Sequence, residues 1–304
     1  MTAQPKNLAA SVHQRLLNLS QQRNDDFNRL LILFAIERLL YRLSVSDHAH
    51  KFVLKGALLF MVWTVPDFRP TRDLDLLGFG DPSDETLLQL FQTICQQPVV
   101  DDGLIFDPQS VRVRAIRADQ EYQGQRVELT ANLGRAKLPL QIDIGFGDLV
   151  LPAPVAAEYP TLLDFPSPHL RVYSRESVIA EKFHAMATLD WSNSRMKDFY
   201  DLWILSRLFP FDGVRLTQAI DATFTRRNTA IPAETPTALT AEFAETPMKI
   251  TQWQAFLRRN RLAVDGASFA DMITELSRFL LPPLQALAQA TPFSQYWTVE
   301  GGWR

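Results

Sequence analysis

The sequence predicts an α+β protein in which a mixed β-sheet flanked by helices is followed by a mostly helical C-terminal lobe. Segments with the two-residue alternation of strands concentrate in residues 103–146, whereas segments with helical periodicity dominate after residue 175. Between these regions, residues 151–170 contain five prolines, which is typical of a connection over the protein surface. We therefore expect a domain boundary in this connection, with lobes formed by residues 1–155 and 156–304.

The composition favours a cytoplasmic protein with no membrane partner. The 304 residues include 46% hydrophobic side chains and 20 phenylalanines, which is enough for packed cores. The single cysteine, Cys95, excludes an internal disulfide and favours a reducing compartment. No apolar run reaches the roughly 20 residues needed to cross a bilayer, and the N-terminus lacks the pattern of a signal peptide. The net charge of −3 predicts that any surface for nucleic acid is local.

Periodicity and capping residues predict the elements before the proline-rich connection. Two helices cover residues 7–22 and 25–45, and the second is apolar over a broad face, so we expect it to be buried. Ser83 is a good N-cap for a third helix over residues 85–97. The predicted strands are residues 103–106, 110–117, 125–133 and 139–146. One face of strand 110–117 is rich in arginine, which indicates either a solvated face or a phosphate-contacting one.

After the connection the pattern becomes mainly helical. A short strand over residues 170–173 leads to Ser174, a good N-cap for a helix over residues 175–189. The further predicted helices are residues 195–209, 213–226, 248–259 and 268–287.

Asp73 and Asp75 form an Asp-x-Asp pattern in a short apolar strand. Residues two apart in a strand project to the same face, about 6.6 Å apart, while Leu74 and Leu76 face the core. Two carboxylates on one face repel each other unless a cation lies between them, and Mg2+ or Mn2+ prefers such oxygen ligands. Alone, the pattern also describes a solvated strand end, so its neighbours along the chain decide.

A glycine-containing turn and a third carboxylate accompany this strand. The apolar run that precedes it ends in Lys55-Gly56-Ala57, at an expected helix start. In the later strand over residues 139–146, Asp143 stands on the face opposite four apolar side chains, where a carboxylate is costly unless it is paired or binds a metal. Asp143 is therefore the candidate third carboxylate. Asp148, in the turn beyond the strand, is the weaker alternative.

A second charged cluster is predicted on the two helices that follow the connection. Lys182 lies beside the buried stripe of the helix over residues 175–189. Asp198 and Asp201 are three residues apart on the next helix and therefore share a face. An ion pair between Lys197 and Asp201 is the ordinary alternative, worth roughly 0.2–0.5 kcal/mol.

Three blocks in order carry a resemblance to a known family: LKGALLF…RPTRDLDL, QIDIGFGD and VYSRESVIAEKFHAM…NSRMKDFYDLWIL. They resemble the AbiEii family, the toxin halves of type IV toxin–antitoxin and abortive-infection systems, within the DNA-polymerase-β-like nucleotidyltransferases. The resemblance covers roughly residues 50–210, and its third block is the most specific. The first block commonly reads Gly-Gly or Gly-Ser in this family, whereas this chain has Gly56-Ala57. Backbone N–H groups, or the Thr71 hydroxyl, must then serve the nucleotide phosphates.

The resemblance implies a polymerase-β-like first lobe in a bilobal enzyme that transfers a nucleoside monophosphate from a nucleoside triphosphate (NTP) to an acceptor. It implies that Asp73, Asp75 and Asp143 hold two Mg2+ or Mn2+ ions, while Lys182 binds the triphosphate. Asp198 would orient or deprotonate the acceptor hydroxyl, with Asp201 as the alternative for that role. Further positions implied for nucleotide binding are Lys55, Gly56, Ala57, Arg69, Thr71, Arg72, Arg195 and again Asp201.

The implied partners are an NTP, an RNA acceptor and an AbiEi-like antitoxin that acts on DNA or as a kinase. Some members of the family modify the 3′ end of tRNA, which makes tRNA the leading acceptor. We expect Lys182 and Asp198 to act in the same active site as Asp73, and their alanine variants to lose transfer and toxicity with little change in melting temperature. A non-catalytic member that binds only nucleotide or antitoxin is the alternative. A hydrolase is disfavoured, since Leu76 and Leu77 follow Asp-x-Asp where a small hydroxyl residue is expected.

Overall fold

The computed structural model describes residues 7–65, 68–116, 124–147, 150–264, 266–300 and 302–304. Asp148, the alternative third carboxylate, therefore lies outside the described residues. The chain divides into two compact units: Met1–Gly147 with Val155–Val172, and Asp148–Pro154 with Tyr173–Arg304. The first unit extends beyond the predicted boundary at residue 155, because residues 155–172 contribute two strands to its sheet.

The first unit is built on a mixed sheet flanked by helices, which confirms the predicted fold of this lobe. Its helices are α1 (Leu8–Arg23), α2 (Phe27–Ser44), α3 (Leu59–Val62) and α4 (Asp84–Cys95). Its strands are β1 (Phe52–Lys55), β2 (Leu74–Gly78), β3 (Leu104–Ile116), β4 (Gly124–Leu133), β5 (Ala136–Phe146), β6 (Val155–Glu158) and β7 (His169–Val172). In the part of the chain that is described, these strands lie in the order β3-β4-β5-β2-β1-β7-β6. β2 is parallel to β5 and β1 is parallel to β7, whereas the other neighbouring pairs are antiparallel.

Alternation within the central strands decides which side chains enter the core. Leu74 and Leu76 of β2 are buried, as are Ile142 and Ile144 of β5. On the helical side, α2 packs against β5 and α4, and α4 packs against β3. The acidic residue between each pair of buried residues therefore projects from the opposite face of the sheet.

α2 also buries three charged side chains, which its apolar pattern did not predict. Arg42 donates two hydrogen bonds to the Asp102 carboxylate, at 2.7 and 3.1 Å. The Glu37 carboxylate accepts the Leu162 N–H at 2.7 Å, and burial raises the pKa of Glu37 to about 7. Arg38 lies between the two acids, 3.3 Å from Glu37 and 3.4 Å from Asp102. This cluster ties α2 to the proline-rich segment that belongs to the same unit.

The second unit is mostly helical, as predicted. Its helices are α5 (Arg175–Leu189), α6 (Met196–Leu208), α7 (Gly213–Arg226), α8 (Ala241–Glu245), α9 (Pro247–Asn260) and α10 (Phe269–Ala288). Among its described residues, β8 (Phe211–Asp212), β9 (Tyr296–Thr298) and β10 (Gly302–Trp303) form a small antiparallel sheet in the order β10-β9-β8. α5 packs against α6 and α7, so the two helices that carry the second charged cluster are neighbours.

β3 and β6 differ from the sequence prediction in ways that the strand pairing explains. β3 is continuous where two strands were expected, and its register with β4 shifts between Asp107 and Arg112. The irregularity is accommodated within the strand, as β-bulges are, and does not end it. β6 forms inside the proline-rich connection, because Val155–Glu158 contains no proline and can pair with β7.

Candidate active site

Asp75 and Asp143 are direct register partners in the parallel pairing of β2 with β5. Side chains at paired positions of neighbouring strands project from the same face, so the two carboxylates stand side by side. Both residues are partly exposed. Asp73 precedes the first residue of β2 and is exposed, and β5 offers it no register partner. The sequence placed all three aspartates on this face, and the register pairs two of them.

Gly56 lies against Asp75 at the end of β1. It begins a 3-10 turn, Gly56–Leu58, and has a φ of +74°, in the left-handed region that glycine tolerates best. A Cβ built on Gly56 would collide with the Asp75 carboxylate. Glycine is thus required twice, once for the backbone conformation and once for space. Ala57 is buried, so its methyl group belongs to the packed interior.

Arg126 of β4 binds the third predicted carboxylate. Its Nε lies 2.7 Å from Asp143 Oδ1 and its Nη2 lies 2.7 Å from Asp143 Oδ2. The hydrogen bonds to Asp143 raise the pKa of Arg126, and the charge of Asp73 adds to this effect. The pair is neither buried nor fully solvated, since the side chains are 28% and 23% exposed. Asp143 therefore already has a cation as its partner.

Sequence reasoning missed Arg126, although a signal for it exists. Arg126 and Asp143 are register partners across the β4–β5 hairpin, whose strands are joined through Gly134 and Arg135. Counting outward from that tight turn places the two residues opposite each other. The arginine-rich face of β3 does not share this partner, because Arg114 of β3 pairs with Glu128 at 2.5 Å and both side chains are exposed. This pairing favours a solvated face over one that contacts phosphate.

The acidic residues fit a divalent metal that shares its ligands with substrate. Within the described ranges, no group of three or more His, Cys, Asp or Glu side chains converges closely enough to hold a metal ion. Mg2+, however, is commonly bound by one or two carboxylates together with substrate phosphates and water. Asp75 and Asp143 supply such a pair of hard oxygen donors, so the chain can provide part of a coordination shell.

The other first-unit residues predicted to bind nucleotide lie at the end of β1 or in the segment before β2. Lys55 is the register partner of Asp75 and is partly exposed. Thr71 is partly exposed, and Arg72 forms an exposed ion pair with Asp26 at 3.4 Å. Arg69 lies over the Phe68 ring, 5.2 Å from its centroid. Lys55 and Gly56 are the positions that β1 and the turn after it bring beside Asp75.

The second charged cluster forms within the second unit. The Lys182 Nζ lies 2.8 Å from Asp198 Oδ1 and 2.7 Å from Asp201 Oδ2. Arg195 Nε lies 2.5 Å from the other oxygen of Asp198. Both carboxylates are fully buried, whereas the Lys182 side chain is 13% exposed. Two cations thus balance two buried anions, with Lys182 as the bridge between α5 and α6.

This geometry changes the interpretation of Asp198 and Asp201. Asp201 pairs with Lys182, and Lys197 points to solvent, so the Lys197–Asp201 ion pair is not the arrangement observed. Burial favours a higher pKa for Asp198, but Lys182 and Arg195 outweigh it and hold that pKa below its ordinary value. With both oxygens accepting hydrogen bonds and a lowered pKa, Asp198 is a weak base. Its arrangement suits positioning better than deprotonation of an acceptor.

A buried lysine supports the loop that carries Arg195. Lys249 of α9 donates to the carbonyl oxygens of Trp191 and Asn193, at 2.8 and 2.7 Å. The Asn193 side chain in turn accepts the Arg195 N–H at 2.9 Å. Lys249 is 1% exposed, which lowers its pKa. No local pattern in the sequence marks it, because its partners are main-chain groups more than fifty residues away.

A family model matches the part of the chain that carries both charged clusters. The family model described as "Nucleotidyl transferase AbiEii toxin, Type IV TA system" matches residues 38–275. The chain belongs to the AbiEii family. The match confirms the resemblance seen in the sequence, and it includes every predicted site residue from Lys55 to Asp201. This AbiEii-family protein is therefore a nucleotidyltransferase of a toxin family, and membership in a toxin–antitoxin family implies an antitoxin partner.

Two solved structures from Helicobacter pylori are similar to the AbiEii-family chain. JHP933 is 14% identical, with a TM-score of 0.45, and the alignment covers 83% of this chain and 89% of that chain. A second protein, provisionally assigned as a nucleotidyltransferase, is 14% identical with a TM-score of 0.43, covering 86% of this chain and 94% of that chain. No curated protein sequence matches. In the described part of the AbiEii-family chain, none of the helices combines the length and apolar character needed for a membrane crossing.

Proposed function

We propose that the protein transfers a nucleoside monophosphate from a metal-bound NTP to an acceptor hydroxyl, with the 3′ end of tRNA as the leading acceptor. The register pairing of Asp75 with Asp143 carries the proposal, because it sets two hard oxygen donors side by side on one face of the sheet. Membership in the AbiEii family supports the reaction class. The choice of tRNA rests on what is known of other family members.

Asp75 and Asp143 would hold Mg2+ or Mn2+, with Asp73, which immediately precedes β2, as an additional ligand. When bound, the metal would neutralise charge on the triphosphate and on the attacking and leaving oxygens. Lys55 and the main chain at Gly56 would contact the phosphates, since Gly56 places no side chain between its backbone and Asp75.

In the second unit, Lys182 would be the cation that binds the triphosphate. Asp198 and Asp201 would hold its side chain in one geometry, and Arg195 would keep Asp198 ionised. This assignment makes the two aspartates positioning residues. It supports a point-charge role for Lys182, whose side chain is 13% exposed although both of its carboxylate partners are buried.

The experiment is a labelling assay with purified protein. Each of the four α-labelled NTPs would be incubated with Mg2+ and total tRNA, and label on the RNA would be measured. We expect one NTP to label tRNA in a reaction that Asp75→Asn and Asp143→Asn abolish. Asp164→Asn is the matched control, because Asp164 lies in the same unit and its side chain is fully exposed.

Two outcomes would contradict parts of the proposal. If the label appeared on protein or on another RNA, and was lost in the same variants, that molecule would be the acceptor in place of tRNA. The proposed transfer reaction would still stand. Transfer that persists in both Asp75→Asn and Asp143→Asn would remove the metal-binding role from this strand pair.

The assignment of both units to one reaction has its own test. Residues that act together in catalysis give losses that do not add. We expect Asp75→Asn with Lys182→Ala to be no slower than the slower single variant. Fully multiplicative losses would mean that the two groups contribute independently.

A non-catalytic member that binds nucleotide or antitoxin is the second candidate. The contact of Arg126 with both oxygens of Asp143 favours it, because the guanidinium already occupies one acceptor site on each oxygen and places a positive charge where a metal would approach. Calorimetry would separate the two candidates, since a binding-only member would bind NTP without needing Mg2+ and without loss in Asp73→Asn.

A further inference from the structure

Resting on the proposed function, we infer that Arg126 couples metal loading to nucleotide binding. In the absence of substrate its guanidinium holds Asp143 and competes with a metal for that carboxylate. When a metal-bound triphosphate arrives, Arg126 exchanges Asp143 for phosphate oxygens, and Asp143 becomes a metal ligand. Arg126 is thus a further substrate-contacting residue of this site.

The contact geometry supports a true competition. Both Asp143 oxygens accept a hydrogen bond from Arg126 at 2.7 Å, in the two-pronged arrangement that arginine forms with carboxylates. A metal bound to Asp143 would use the same two oxygens and would lie close to the positively charged guanidinium, so the two cations repel each other at this carboxylate. The competitor is fixed in place by the hairpin, because Arg126 and Asp143 are register partners in β4 and β5.

The position and exposure of Arg126 support the exchange. A planar guanidinium suits phosphate as well as carboxylate, so a phosphate beside Asp143 offers an equivalent partner. The side chain is 28% exposed, so it is neither locked in the core nor free in solvent. Arg126 also feels the charge of Asp73, which places it in the field of the aspartates themselves.

Charge balance gives the exchange its direction. A metal that arrives alone must displace Arg126 and leave its guanidinium without its carboxylate partner. A metal that arrives with a triphosphate brings anionic oxygens that replace the lost partner. Metal binding without nucleotide is therefore opposed by Arg126, whereas binding of the metal–nucleotide complex is assisted by it.

The experiment measures Mn2+ by its paramagnetic resonance signal, with no turnover required. The probes are Mn2+ alone and Mn2+ with the α,β-methylene analogue of each NTP, which resists transfer. For Arg126→Ala we expect Mn2+ alone to bind about tenfold more tightly and the Mn2+–analogue about tenfold more weakly, the factor for one charge-assisted contact. Changes of opposite sign are the signature, because a merely structural role would weaken both.

Arg114→Ala is the matched control. Arg114 is the register partner of Arg126 on the neighbouring strand and pairs with Glu128, so its removal deletes the same charge without touching Asp143. We expect both Mn2+ affinities to stay within about twofold of wild type, since exposed ion pairs contribute little. Arg126→Lys keeps the charge but cannot make the two-pronged contact, and we expect changes in the direction of Arg126→Ala.

The result that overturns the inference is an unchanged or weaker affinity for Mn2+ alone in folded Arg126→Ala and Arg126→Lys. Equal gains in Arg114→Ala would overturn it too, because they would reflect general charge. Thermal unfolding shows which variants are folded. If Arg126→Ala does not fold, the Mn2+ affinities of Arg126→Lys decide the test. The proposed function has a different test, since it fails if the wild-type protein does not bind the Mn2+–analogue complex. If Asp75→Asn abolishes that binding, the proposed metal site stands even when the inference about Arg126 is overturned.

Discussion

The two charged clusters use the same chemistry in different surroundings. In the first unit, Arg126 and Asp143 form a pair whose side chains are 28% and 23% exposed. In the second unit, Lys182 bridges Asp198 and Asp201, whose side chains are 1% and 0% exposed. A pair near water can exchange one partner for another, because solvent and ligands can replace the lost contact. A fully buried pair cannot do so without leaving an uncompensated charge in the interior.

This difference separates a group that changes partners from a group that is held. The exposed arginine suits a role in which it moves between a carboxylate and a phosphate. The buried aspartates suit a role in which they keep one ammonium in place. If burial divides these roles, substitutions in the buried cluster should cost more stability than substitutions in the exposed one.

The largest expected effect is on the second cluster. Lys182→Ala would leave two buried carboxylates without their shared cation, and we expect a loss of about 3–5 kcal/mol in the free energy of unfolding, together with loss of transfer. This revises the expectation from sequence that the melting temperature would barely change. Urea denaturation measures the loss, and Lys197→Ala, on the exposed face of α6, is the control. A loss below about 1 kcal/mol would show that burial does not set the cost.

A pH titration extends the comparison to the buried cluster on α2. Because burial raises the pKa of Glu37 to about 7, the folded protein keeps a proton that the unfolded chain releases near pH 4.5. The free energy of unfolding should therefore fall as the pH rises from about 4.5 to about 7, by up to about 3 kcal/mol, and level off above that.

Glu37→Gln should remove this slope, whereas Glu158→Gln, an exposed position in the same unit, should keep it. Denaturant melts at pH 5 and pH 8 give the comparison. Equal slopes in both variants would mean that Glu37 is not the group that titrates.

Gly56 tests how tightly the exposed site is built. Gly56→Ala forces a side chain into both a left-handed backbone and the Asp75 carboxylate, and we expect a loss of about 1–3 kcal/mol together with loss of metal–nucleotide binding. Gly80→Ala is the control, because Gly80 has a φ of +102° with nothing near its Cβ position. Equal effects of the two substitutions on nucleotide binding would show that contact with Asp75 is unimportant.

The smallest expected effect completes the contrast. Arg126→Ala removes a partly exposed ion pair, and we expect it to change the free energy of unfolding by about 1 kcal/mol or less. The same denaturation series that measures Lys182→Ala would measure it. If Arg126→Ala destabilised the protein as much as Lys182→Ala does, Arg126 would be a structural group and unsuited to exchange.

Local patterns predicted much of this fold. The helices at 175–189 and 213–226 begin and end where periodicity and capping indicated. The spacing of Asp198 and Asp201 predicted a shared face, and that face meets Lys182. These features depend on residues close together in sequence, or on adjacent helices joined by a short turn.

Features that depend on pairing between distant segments were predicted incompletely: Asp143 was the candidate third carboxylate, but the residue that it pairs with was not identified. The partnership of Asp75 with Asp143 needs the register of a parallel pair, which no local pattern fixes. The buried charges of α2 read as the polar edge of an apolar helix, because Asp102 and Leu162 come from elsewhere in the chain. The pairing of Arg126 with Asp143 is the exception, because counting outward from the tight turn at Gly134 and Arg135 places the two residues opposite each other.

The parallel pairing of β2 with β5 has a consequence for how the protein matures. Strands so far apart in sequence pair only after the loop between them has closed, and such non-local contacts are slow to form. On the ribosome, Asp75 can pair with Lys55 of β1 as soon as β2 has emerged, but its register partner in β5, Asp143, is synthesised much later. The paired carboxylates are therefore a late product of folding, and a chain stalled or cleaved before β5 cannot assemble them. If these carboxylates bind the metal as proposed, the topology delays nucleotide transfer until β5 has been synthesised and has paired with β2.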